Sequence, residues 1–237
     1  MREVKDDGTD PSDRLGSDVA RNIVPEGQEV PVRPAVSVIV LRDGADSASG
    51  RLEVFVQHRV STMDFAAGVV VYPGGRVDPQ DHEAGAALGL TTEVAAAHAK
   101  AWELSSVAEN PGFESVILAC AQREVQEETG AVLAPEKLKP WANWITPPGR
   151  TKRFDTFFFV ARGAEIGDMK HQTTEAHTSE WLSTEYVLAE EEAGNLKLMR
   201  PTLVLMNEIH ALGSVDAIMA AERTIEPVRP KVPGKVG

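Results

Sequence analysis

Apolar positions along this chain follow two rhythms, and the change from one to the other marks out the elements. Ala35-Val36-Ser37-Val38-Ile39-Val40-Leu41 is a β-branched run of the kind that forms a buried strand. Leu52-Glu53-Val54-Phe55-Val56-Gln57 alternates like a second strand, and Asp43-Gly44 with Ser47-Ala48-Ser49-Gly50 supplies the turn between them. A third strand over Gly68-Val69-Val70-Val71-Tyr72 runs into Pro73-Gly74-Gly75, where the chain must bend sharply. Further strands are predicted at Trp144-Ile145-Thr146 and from Phe154 to Ala161, separated by a polar loop from Pro147 to Arg153. Glu180-Trp181-Leu182 reads as a short strand leading into a helix near Ser183.

Helical periodicity appears in three places. Residues 82–112 form an Ala-rich stretch with Val94, Ala97, Ala101 and Leu104 at helical spacing, closed by Asn110-Pro111-Gly112. From Phe113 to Thr129, Leu118, Ala121 and Val125 make a stripe that can face a core, and Gly130 suits a left-handed cap. Pro201 can open a last helix with Leu205, Ile209 and Leu212 on one face. Strands alternating with helices predict an α/β or α+β sandwich. Residues 1–34 are polar and read as a flexible leader, 35–225 as one domain, and 226–237 as a flexible tail.

Charge narrows the partners. With 24 basic and 36 acidic residues the formal net charge is -12, which argues against a general nucleic-acid or anionic-membrane surface. A small phosphorylated ligand held by a local basic patch or a bound cation stays compatible. No run reaches the roughly 18 apolar residues of a membrane helix, and the first residues lack an apolar signal core, so a cytoplasmic protein is expected. Cys120 is the single cysteine, which leaves no intrachain disulfide; it reads as a packed residue.

The candidate chemistry sits in Arg123-Glu124-Val125-Gln126-Glu127-Glu128-Thr129-Gly130. On a helix Glu124, Glu127 and Glu128 project from the same side, and Arg123 can hold Glu127 one turn on. The bland alternative is a solvated acidic face, because like charges at that spacing cost only a few tenths of a kcal/mol. Arg150, Lys152 and Arg153 form the densest basic cluster, suited to substrate phosphate or to ordinary surface pairing with Asp155; Arg59 has the same two readings. His171 and His177 are expected to be exposed loop residues.

The string R-E-x-x-E-E-x-G at 123–130 is the helical half of the Nudix box, and Tyr72-Pro73-Gly74-Gly75 resembles the turn that opens it. The chain therefore resembles the Nudix hydrolase superfamily over roughly residues 35–213. That resemblance implies a Nudix-type α+β fold, an α/β/α sandwich with a mixed sheet and a helical insert. From Gly75 to Arg123 there are forty-eight positions, thirty-four more than the fourteen of the usual box, and the Ala-rich stretch 82–112 matches most of that excess. Asp81 stands where the box has its first glutamate. The insert, Arg76-Val77-Asp78, Trp144-Ile145-Thr146-Pro147-Pro148 and Arg153-Phe154-Asp155-Thr156 resemble the subgroup related to coenzyme A diphosphatases.

By resemblance, Glu124, Glu127, Glu128 and the Gly74 carbonyl would hold Mg²⁺ or Mn²⁺, and Arg123 would orient the glutamates. Glu180, Glu175 or Glu124 would be the general base. The implied reaction is metal-dependent hydrolysis of a diphosphate bond in a nucleoside diphosphate joined to another moiety. Coenzyme A or an acyl derivative leads; ADP-ribose or NADH follows. A Nudix-fold module that binds a nucleotide without hydrolysis is the alternative from another class. The insert could shape the substrate entrance, cover the site or make a homodimer interface.

Overall fold

The computed structural model describes residues 23–25, 27–44, 51–59, 69–172 and 176–230, with His177 placed in backbone only. The first strand, β1 (Val32–Asp43), alternates between two cores. Val36, Val38 and Val40 join one, Ile39 and Leu41 the other, which is why the run is apolar at nearly every position. β1 begins three residues before Ala35, because Val32, Arg33 and Pro34 continue its pairing with β5 (Arg153–Arg162). The remaining strands are β2 (Leu52–Arg59), β3 (Val70–Val71), β4 (Lys139–Ile145), β6 (Ala176–Ser183) and β7 (Pro227–Val228). They form one seven-stranded mixed sheet in the order β3-β2-β1-β5-β4-β7, with β6 on β2. β7 lies inside the stretch expected to be a tail, paired with Asn143 and Trp144.

Helices cover both faces. On one side lie α1 (Pro79–Ala87), α2 (Thr92–Ala101), a 3₁₀ turn at Ser106–Glu109 and the long α3 (Phe113–Thr129). On the other lie α4 (Thr184–Glu192), α5 (Arg200–Leu212) and α6 (Val215–Ala220). This is the α+β sandwich expected from the alternation of patterns. α3 spans the predicted residues; Leu118, Ala121 and Val125 are fully buried, and Gly130 caps it at φ 72°. In α5, Leu205 and Ile209 are buried as expected, whereas Leu212 in the last turn stays exposed.

The stripe predicted for the Ala-rich stretch is corrected. His98 and Trp102 are buried there, while Ala97 and Leu104 are exposed. α2 ends at Ala101, so Leu104 lies beyond it, and the large Trp102 ring decides the docking face. That ring stands edge-on to Phe157 and Phe159, with centroids 5.2 and 5.5 Å away. Ser106 ties the same segment to the sheet by donating to Asp155 at 2.6 Å. No described helix is long and apolar enough to cross a membrane.

The sheet splits where β1 and β2 part. They pair directly only over Leu41–Asp43 with Leu52–Val54. Below that point β2 pairs with β3 instead, and the segment after β3 fills the gap along β1. Val38 donates to the Pro73 carbonyl at 2.8 Å, Val36 to Gly75 at 2.8 Å, and Val77 to Pro34 at 3.0 Å. The glycine turn is thereby held against β1, under the C-terminal half of α3.

Candidate active site

At Gly74 the backbone has φ 152°, and an added Cβ would fall against the Val36 carbonyl and 2.8 Å from the Ser37 Cα. A side chain is excluded there by both strain and space. The Gly74 N–H donates to Glu128 Oε2 at 3.0 Å. A Cβ on Gly75 would lie 2.6 Å from the Glu124 carboxyl carbon, so Glu124 rests directly on that residue. Two helix carboxylates therefore meet two consecutive glycines.

Arg123 organises the rest. Its Nε and Nη2 reach the two oxygens of Asp81 at 2.8 and 2.9 Å, a bidentate grip on a carboxylate that is 1% exposed. Nη1 lies 2.8 Å from Glu124 Oε1 and 3.0 Å from Glu127 Oε2, and Nη2 also donates to the Arg76 carbonyl at 3.0 Å. One guanidinium thus serves three carboxylates. Asp81 is placed for this by its own helix: it is the third residue of α1, and it accepts from the Asp78 N–H at 2.7 Å in a capping box. Its role could have been found from its position six residues after Gly75.

The electrostatics follow from burial and that shared cation. Burial pushes the Glu124 carboxyl up to about 7, against the opposing pull of Arg123. Burial alone would also raise Asp81, yet the Arg123 hydrogen bonds and the Asp78 N–H hold it below the usual carboxylate range. The hydrogen bonds that Arg123 donates to Asp81 raise the guanidinium further, and burial pushes the Cys120 thiol up, so Cys120 is a packed, neutral residue.

The expectation that the three glutamates converge is met only in part. Glu124 and Glu128 flank the turn, while Glu127 is 57% exposed and tied outward to Arg123. Among the described residues no three acidic, histidine or cysteine side chains form a finished cation cage. The donor set nevertheless suits a hard cation: carboxylate oxygens exceed the positive charge available, and Mg²⁺ retains waters and needs few protein ligands.

The candidate bases separate. Glu175 lies outside the described residues. Glu180 pairs with Val56, whose side chain belongs to the core under α4–α6, so its carboxylate points to the face opposite α3. There it meets His58 Nε2 at 3.0 Å. Strand alternation thus keeps Glu180 from the α3 glutamates, a correction to its candidacy.

The basic residues separate too. Arg153 sits across from Val32, four residues or roughly 13 Å along β1 from the Val36 contact with the turn. It donates to the Thr146 and Val30 carbonyls at 3.1 and 3.2 Å, which turns its guanidinium toward the chain just before β1. Arg150 bridges to Ile23, and Lys152 is exposed on the same loop. Arg59 ends β2, next to a register shift against β6, with its N–H on the Val69 carbonyl at 3.1 Å. His171 is exposed as expected and contacts Ser179 at 3.0 Å; the His177 side chain is outside the described residues.

Comparison with known proteins bears on the domain and the fold. The NUDIX domain model matches residues 95–202, which include α3 and its glutamates. A NUDIX hydrolase from Alicyclobacillus acidocaldarius has a similar structure: TM-score 0.65, 22% identity, covering 83% of this chain and 99% of that one. The NUDIX domain of Shewanella oneidensis NrtR, crystallised with ADP ribose, gives TM-score 0.48 and 12% identity, covering 83% and 97%. No curated protein matches the sequence. Domain match and fold coincide on the helix that carries the glutamates: the chain is similar to a NUDIX domain over residues 95–202 and has the fold of a NUDIX hydrolase of known structure.

Proposed function

We propose that the protein hydrolyses the diphosphate bond of a nucleoside diphosphate derivative, using Mg²⁺ or Mn²⁺ held by Glu124, Glu127 and Glu128 with the Gly74 carbonyl. The observation that carries this reading is the Arg123 clamp, which fixes Glu124 against Gly75 and holds Glu127 one turn on, next to the turn where Glu128 is already anchored. A diphosphate resists attack because its oxygens are negative; the cation offsets that charge and lowers the pKa of a bound water. The chain's own residues fix the carboxylates. Asp81 holds Arg123, Arg123 aims Glu124 and Glu127, and the Gly74 N–H aims Glu128. Of the three base candidates, Glu124 is the one that the described residues put beside the turn.

Coenzyme A or an acyl derivative is the substrate we favour, with residues 82–112 as an insert within the Nudix box. Asp155 of the Arg153-Phe154-Asp155-Thr156 motif accepts from Ser106 of that segment and from Asn143, both at 2.6 Å. The motif that resembles the coenzyme A subgroup thus touches the segment that the same resemblance singles out, which supports this reading. Incubation with coenzyme A, acetyl-coenzyme A, ADP-ribose and NADH, each with Mg²⁺ or Mn²⁺ in ¹⁸O-water, tests this. Product masses identify both the substrate and the phosphorus attacked. Turnover of ADP-ribose or NADH alone would reassign the substrate. Binding without any product would leave a nucleotide-sensing module.

A further inference from the structure

Gln57 is 2% exposed, and among the described residues its Nε2 has no hydrogen-bond partner. An orphaned buried amide donor costs free energy unless something completes it. Its direction follows from strand alternation. Phe55, two residues earlier, packs in the core under α3, so Gln57 faces the same way. Its cross-strand neighbours set its position on that face. Val71 stands on one side, three residues before Gly74, and Ser179 on the other. Ser179 touches His171, and the adjoining loop is fastened to the end of α3: Lys170 and Gln172 donate to the Thr129 and Glu128 carbonyls at 2.9 and 3.1 Å. Gln57 therefore lies on the floor between the glycine turn, the Glu128 end of α3 and the 170–172 loop.

We propose that Gln57 is a substrate-binding residue whose Nε2 donates to a non-bridging oxygen of the diphosphate. The unmet group is a donor, so its ligand must offer an acceptor, and a diphosphate presents only acceptors along its oxygens. A neutral donor suits a place flanked by carboxylates, because it can hold phosphate without drawing Glu128 away from the turn as a lysine would. From Leu52 to Gln57 the strand is apolar except for Glu53 and Gln57, and that break in the alternation carried the signal in the sequence.

This inference rests on the diphosphatase reading and is tested alongside it. Gln57→Leu and Gln57→Met delete the donor with little change of volume. Binding of α,β-methylene-ADP with Mn²⁺ is read by calorimetry, thermal unfolding is read without ligand, and KM and kcat are read on the substrate found above. Both variants should keep or raise Tm, since an orphaned donor has been removed. They should bind the analogue roughly tenfold more weakly and show the loss mainly in KM. Wild-type affinity in both variants, or a lowered Tm with unchanged binding, overturns the role of Gln57 and leaves the activity standing. A wild type that neither binds the analogue nor cleaves any diphosphate overturns both.

Discussion

The two faces of the sheet are cut from the same strands, yet they end in different chemistry. Under α4, α5 and α6 the face is closed by Ile39, Leu41, Val54, Val56, Leu205, Met206 and Ile209, all essentially inaccessible. Under α3, Val36, Val38, Val40 and Phe55 are buried as deeply, but this side also holds Glu124 and Glu128 against the glycine turn, Asp81 in the grip of Arg123, and the buried amide of Gln57. Burying such groups costs folding free energy, which Arg123 offsets for Asp81 and Glu124 and the Gly74 N–H offsets for Glu128. The lesson is that the first face stabilises the molecule and the second spends part of that stability to hold charge ready.

Substitutions on the two faces should fail in opposite ways. Glu128→Gln removes an anchored carboxylate from the turn and should lower kcat about a thousandfold while Tm moves little. Steady-state kinetics with Mg²⁺ together with a melting curve checks this, and near-normal turnover would remove Glu128 from the chemistry. Leu205→Ala empties part of the closed face and should cost about 2–5 kcal/mol in urea unfolding, with the kcat of the folded protein unchanged. Lost activity without lost stability in that variant would break the division between the faces.

A third experiment sharpens the comparison within the α3 side. Burial pushes the His98 imidazole down to about 4 from its ordinary 6.5, so the folded protein keeps it neutral while the unfolded chain takes up a proton. Stability on this account is fully present above pH 6.5 and falls as pH drops toward 4, by on the order of 3 kcal/mol. His98→Leu should flatten that slope relative to wild type in urea unfolding at pH 7 and pH 4.5; parallel slopes would refute it. The smallest effect is expected at Glu180→Gln, on the face away from α3, where kcat should change less than about threefold. A loss as large as that of Glu128→Gln would restore Glu180 as the base.

Residues 82–112 show where reading the pattern was enough and where it was not. Their helical character and the break at Asn110-Pro111-Gly112 were legible, because propensity and turn chemistry act over a few residues. Their buried side was not. Five alanines in α2 blur any amphipathic stripe, and Trp102, just past the helix end, chooses the contact with Phe157 and Phe159. The candidate site divides in the same way. The carboxylates of α3 and the glycine turn could be named in advance, whereas the sides taken by Gln57 and Glu180 depend on which strand lies beside which.

By itself the sequence determined the extent of α3, its apolar stripe, its glycine cap and the spacing of Glu124, Glu127 and Glu128, since hydrogen bonds four residues apart set all of these. Only the tertiary structure decided that Arg123 grips Asp81 across 42 positions, that Arg153 is turned to the Val30 and Thr146 carbonyls, and that Glu180 faces away. Contacts between distant segments depend on strand register and helix docking, and a shift of one residue in register would exchange the two faces of β6.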